Sequence, residues 1–168
     1  MIEDLTLKGC IEFAIATEEF GSENYARLAE KFSHNPEIAG LFTRLSEDEL
    51  VHKQQFSQMK EKAPEVAADV QSSEMNDYLR AMSHSLFFSR YQGPFKDVDT
   101  VKDRDDALQK ALDFEKATLG FYKAVEEVQG SSALLSQIIE AEKSHVVVIM
   151  KALLVEGSKF RSLQDTWS

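Results

Sequence analysis

Glu49 and His52 stand three residues apart in SEDELVH, residues 46–52, and Glu142 and His145 stand three apart in IEAEKSH, residues 139–145. On a helix, positions i and i+3 share a face one turn apart, so each glutamate and histidine can reach one metal ion together. Two more glutamates join them in the same order. Glu18 precedes Tyr25 by seven residues in EEFGSENY, and Glu115 precedes Tyr122 by seven in EKATLGFY. Seven residues are nearly two helical turns, so these pairs share a face as well. The Glu–Tyr pairs repeat at an offset of 97 residues and the Glu–His pairs at 93. The chain reads as two copies of one helical hairpin.

These glutamates interrupt apolar stripes. Ile11, Ala14, Ile15 and Tyr25 lie around Glu18; Ala111, Leu112, Leu119 and Tyr122 around Glu115; Leu135, Ile138, Ile139, Val146 and Ile149 around Glu142. An uncompensated charge buried there costs several kcal/mol. Four carboxylates carry four negative charges, which two divalent cations would neutralise. Imidazole with carboxylate suits iron and manganese. With 18 glutamates in 168 residues, a given histidine has roughly a one-in-nine chance of a glutamate three before it. Two such matches, in repeat register with two matched Glu–Tyr pairs, argue against coincidence. His34 and His84 lack the pattern and are read as loop and connection residues. Glu47 and Glu140, two residues before the proposed ligands, fall about 200° around the helix and are expected to face outward or toward a neighbouring helix.

Four long helices must position these residues. The first is predicted over about 6–32. The second starts after Asn35, a suitable N-cap, with Pro36 at its first position, and runs to about Lys62. The third runs from about Arg104 to Gln129 and stops at Gly130; the acidic KDRDD before it suits a solvated helix N-terminus. Ser131 or Ser132 can cap the fourth, which is expected to end at Gly157. Residues 64–102 form a long crossover between helices 2 and 3, with a shorter helix in EMNDYLRAMSHSLFFSRY and a break at QGPFKDVDT. Short loops make antiparallel hairpins, and a connection of about forty residues can cross the length of a bundle. The expected fold is therefore all-α, a ferritin-like four-helix bundle over residues 1–157, with a short C-terminal tail at 158–168.

Composition agrees. Seven glycines and three prolines in 168 residues favour helices over a turn-rich β architecture. A net charge of −10 argues against nucleic acid or an anionic membrane as partner. The single cysteine, Cys10, allows no disulfide framework and no thiolate zinc site within the chain, and reads as a small core residue. The N-terminus has no signal-peptide pattern, and VVVIM followed by Lys151 and ALLV is too short and interrupted to span a bilayer, so a cytoplasmic protein is expected. The apolar surface of LRAMSHSLFFSRY, residues 79–91, predicts a homodimer or larger assembly, the alternative being that it packs on the bundle of its own chain.

The pattern Glu…Glu-x-x-His…Glu…Glu-x-x-His resembles the di-iron carboxylate proteins of the ferritin-like superfamily, and among them the rubrerythrins. The resemblance implies two iron ions, with manganese or zinc as alternatives. It implies Glu18 and Glu115 as terminal ligands, Glu49 and Glu142 as bridges, and His52 and His145 each on one ion. Tyr25 and Tyr122 would sit beside the ligands as hydrogen-bond donors. Rubrerythrins carry a further carboxylate one turn from the third-helix glutamate, where this sequence has Ala111, Leu112, Thr118 and Leu119. Full-length members also hold a separate iron on four rubredoxin cysteines, for which one cysteine does not suffice. The implied function is a di-iron oxidoreductase that reacts with peroxide or dioxygen and takes electrons from an external donor such as a rubredoxin or flavin reductase. The alternatives are a ferroxidase or iron-handling protein without sustained turnover, and a bundle merely held together by its metals.

Overall fold

The computed structural model of the chain describes residues 7–63, 93–96 and 98–154. Four helices account for most of them: α1, Leu7–Lys31; α2, Pro36–Lys62; α3, Arg104–Gln129; and α4, Ala133–Leu154. No strand occurs among the described residues. The sequence-predicted crossover helix, His84, the apolar stretch at 79–91, the end of the fourth helix beyond 154 and the tail at 158–168 lie outside the described residues.

Local chemistry sets the helix ends. Asn35 is extended and its side-chain oxygen accepts from the Ile38 amide, while Pro36 opens α2. Asp103 caps α3 by accepting from the Asp106 amide at 2.9 Å, and Asp105 and Asp106 add negative charge where the helix dipole favours it. Gly130 ends α3 at φ 85°, a conformation that a side chain rarely tolerates. Ser132 is the one of the two candidate serines that caps α4, accepting from the Leu135 amide.

Side-chain pairs give the register. Lys60 meets Glu12 at 2.9 Å, Lys53 meets Glu19 at 2.7 Å and the Ser22 and Ser46 hydroxyls are 3.1 Å apart, so α1 and α2 are antiparallel. Ser136 to Glu126 and His145 to Glu115 show the same for α3 and α4. The hairpins meet through antiparallel pairs as well: Phe20–Phe114 and Phe13–Phe121 join α1 to α3, and Asp48–His145 joins α2 to α4. It follows that α2 and α3 run parallel, as a long crossover between them requires. The chain is an all-α bundle of the ferritin-like type.

Two apolar clusters fill the bundle, one around Tyr25, Leu28, Phe42 and Phe114, the other around Cys10, Ile11, Phe56, Phe121 and Tyr122. Cys10 is buried, and burial pushes its thiol up to about 11, as befits an inert core residue. The end of the crossover contributes more than a break. Phe95, Val98 and Val101 are buried, and the Phe95 ring packs edge-on to Tyr25 at 5.4 Å. A 3₁₀ turn at Val98–Thr100 is tied to α1 by Arg27 to the Asp99 carboxylate and Lys31 to the Asp99 carbonyl, both at 2.6 Å.

Candidate metal centre

All six sequence-predicted ligands meet between the two clusters. Glu18, Glu49, Glu115 and Glu142 are fully buried, and His52 and His145 are 4% and 5% exposed. They form two overlapping groups. Glu18, Glu49, His52 and Glu142 bring one ligand atom each within 4.8 Å of one another, and so do Glu49, Glu115, Glu142 and His145. Glu49 and Glu142 belong to both groups, the place of a bridging carboxylate. Each remaining Glu–His pair comes from one hairpin.

The halves mirror each other in part. His52 Nδ1 lies 3.4 Å from Glu18 and 3.7 Å from Glu49; His145 Nδ1 lies 3.3 Å from Glu115 and 3.8 Å from Glu142. His52 Nδ1 also comes within 2.9 Å of Glu142 Oε1 across the hairpins. The tyrosines cross between hairpins. Tyr25 donates to Glu115 at 2.5 Å, and Tyr122 donates to Glu18. Each tyrosine thus holds the other repeat's glutamate, a link that seven-residue spacing within one helix does not reveal. Both phenols are pushed well up by burial and by the adjoining carboxylates, so they stay protonated and donate.

The donor set fits metal ions. Buried polar groups are normally hydrogen-bonded, yet Glu18 Oε2, both oxygens of Glu49 and Glu142 Oε2 are buried with no hydrogen-bond partner, and Glu142 Oε1 faces His52 Nδ1 at 2.9 Å. Ionised carboxylates accept and cannot donate, so these inward carboxylate oxygens cannot satisfy one another without protons or cations. Burial, then the neighbouring carboxylates, holds Glu49 and Glu142 well above the ordinary range. Burial alone would lower both histidines, but the surrounding carboxylates outweigh it. Glu142 and Glu18 lift His52 to about 9; Glu115 and Asp48 lift His145 to about 11. Glu115 is held down against its burial by His145. Protons thus occupy the place that cations would take.

Two further residues shape the centre. Asp48 Oδ2 lies 3.4 Å from His145 Nε2, so it backs the nitrogen opposite the one facing the carboxylates. Residue spacing gave no sign of this pair, which spans 97 positions and two helices. Gly21 lets α1 approach the centre closely: a Cβ there would stand 2.9 Å from Phe114 Cε1 and 3.3 Å from the Glu49 carboxyl carbon. Gly21→Ala gains up to about 1 kcal/mol of helix propensity but overpacks a buried ring at a cost of about 1–3 kcal/mol. The expected result is a lower melting temperature for the metal-free protein; an unchanged or higher one would mean that Phe114 gives way freely.

The other sequence readings have definite places. Glu47 and Glu140 are exposed, Glu140 paired with Lys143, and His34 is exposed in the α1–α2 turn. Thr118, one turn from Glu115, is buried and its hydroxyl donates back to the Phe114 carbonyl at 3.0 Å, away from any ligand role. A cleft of about 360 Å³ reaches the two histidines from outside, lined by Asp48, Val51, Gln55, Gln137, Ala141 and Ser144.

The model of the rubrerythrin family matches residues 10–153. The chain belongs to the rubrerythrin family. Comparison with curated proteins and with solved structures returned no match. The family match runs through all four helices and every residue of the buried cluster, so this rubrerythrin-family bundle carries a candidate metal site of four glutamates and two histidines. No helix among its described residues is long and apolar enough to cross a membrane.

Proposed function

We propose that the chain is a cytoplasmic di-iron oxidoreductase that reduces peroxide or activates dioxygen, with electrons from a separate donor protein. The observation that carries this reading is the set of buried inward carboxylate oxygens without hydrogen-bond partners, set in two overlapping ligand groups that share Glu49 and Glu142. Glu18 and His52 would hold one ion, Glu115 and His145 the other, and Glu49 and Glu142 both. Two iron ions held there would supply the two electrons that reduce one hydrogen peroxide, with two protons, to two water molecules.

The chain's own residues do the rest. Tyr25 and Tyr122 fix the terminal carboxylates, so Glu115 and Glu18 keep one oxygen committed to the phenol and one facing inward. The apolar clusters on either side exclude bulk water. The cleft beside His52 and His145 is wide enough to admit peroxide or dioxygen, and Asp48, Gln55 and Gln137 offer it polar walls.

The test is the stoichiometry of peroxide consumption by the anaerobically reduced, iron-loaded protein. About one peroxide should be consumed per pair of irons, and consumption should then stop. It should continue only when a reductant is supplied, plausibly a rubredoxin or a flavin reductase. Peroxide loss with release of dioxygen and no reductant would make the protein a catalase instead. Stoichiometric oxidation of Fe(II) with no turnover on addition of any donor would favour iron handling.

A further inference from the structure

On the outer side of the histidines the mirror symmetry of the centre breaks at one residue. Asp48 precedes Glu49, and its carboxylate meets Nε2 of His145 at 3.4 Å. The residue that precedes Glu142, and so corresponds to Asp48 at the 93-residue offset, is Ala141. Ala141 lines the same cleft as Asp48, but a methyl group can neither accept a hydrogen bond nor hold a ring. Both histidines turn Nδ1 toward the carboxylates, His52 to within 2.9 Å of Glu142 and His145 to within 3.3 Å of Glu115, and on the outer nitrogen the Asp48 contact belongs to His145.

A histidine that binds metal through Nδ1 must carry its proton on Nε2. A carboxylate accepting from Nε2–H fixes that tautomer, holds the ring plane and makes Nδ1 a better electron donor. His145 has this support and the repeat gives His52 no equivalent. We infer that the two metal positions are unequal: the Glu115–His145 position binds first and tightly, the Glu18–His52 position second and exchangeably, with Asp48 as the positioning residue that separates them. The inference rests on the metal-centre reading above and adds an order of filling to it. Asp48 is 46% exposed at its side chain and sits at the cleft wall, so it can be changed without opening the core.

The experiment is titration of the metal-free protein with cobalt(II), followed by visible absorption and by the exchangeable histidine N–H signals in proton NMR. The wild type should bind two ions in resolved steps. Loss of such an outer partner costs about 10–100-fold in metal affinity, so Asp48→Ala should weaken the tighter step by that factor and bring the two steps together. The shifted, slowly exchanging N–H signal that appears with the first equivalent should vanish in Asp48→Ala and persist, weakened, in Asp48→Asn. Ala141→Asp, which supplies the missing counterpart, should tighten the second step. Melting curves of the metal-free variants confirm that each is folded. Two cobalt ions bound with equal affinity in the wild type, or an Asp48→Ala titration unchanged from it, would overturn the inference while leaving a dinuclear centre. A protein that binds no cobalt would overturn both.

Discussion

Glu49→Ala and Glu142→Ala should each reduce the metal content from two ions per chain to one or none. Each of these carboxylates belongs to both groups of ligand atoms, so its removal strips an oxygen from both positions at once. Glu18→Ala or Glu115→Ala, by contrast, removes a ligand from one position and should leave the other able to bind. The Glu49 variant should not be less stable without metal. Both oxygens of Glu49 are buried with no hydrogen-bond partner, and deleting such a group relieves desolvation of a few kcal/mol, partly offset by the cavity left behind. Metal-free Glu49→Ala is therefore expected to melt at or near the wild-type temperature while failing to load. Glu142→Ala also removes the carboxylate 2.9 Å from His52 Nδ1 and should melt lower. Glu47→Ala, at an exposed site on the same helix, should load normally. Elemental analysis after reconstitution with Fe(II), paired with melting curves, reads both effects. If Glu47→Ala loses metal as Glu49→Ala does, or if both bridging variants retain two ions, the assignment of the bridges fails.

The ligands were legible in the sequence because a helix converts spacing into direction. Glu49 with His52 and Glu142 with His145 point the same way by i, i+3 geometry alone, and their interruption of apolar stripes placed them inward before any contact was seen. The helix boundaries were legible for a similar local reason: Asn35–Pro36, the acidic KDRDD and Gly130 signal helix ends within a few residues. What stayed hidden are contacts between helices. That Tyr25 serves Glu115 rather than its own neighbour Glu18 depends on the offset of α1 against α3. Asp48 resembled its exposed neighbour Glu47 in sequence, and only the crossing of α2 and α4 turns one of them onto His145. Phe95 and Val98 sit in a stretch punctuated by Gly93 and Pro94, which read as a break; their burial follows from where the crossover lands on α1. Gly21 carried no signal either, since its role is to be small where Glu49 and Phe114 come close.

Removing the metals should destabilise the protein, and increasingly so as pH rises. Without metal, Glu49 and Glu142 hold their protons well above the usual value of 4.5, so between about pH 4.5 and their raised pKa values the folded chain binds more protons than the unfolded one. Stability then falls as pH increases. The histidines act in the same direction: their contribution is complete below the ordinary value of 6.5 and is lost as pH rises through about 9 for His52 and about 11 for His145. Glu115 and Asp48, held below their ordinary values, act in the opposite sense but only in the acid range, below about 4.5 and 3.8. Between about pH 5.5 and 8.5 the four raised groups therefore dominate among these, and the metal-free protein should lose stability steadily. Metal binding reverses the slope, because the same four groups must be deprotonated to serve as ligands and affinity rises with pH. A ligand at a thousand times its Kd adds about 4 kcal/mol, which for a chain of this size corresponds to about 8–16 °C in Tm. Melting curves of loaded and metal-free protein across this range should show a gap of at least that order at neutral pH, widening toward pH 8.5. A gap that is constant or narrows, or a metal-free Tm that rises between pH 6 and 8, would mean that protons do not occupy the ligand positions and that the buried carboxylates are compensated in another way.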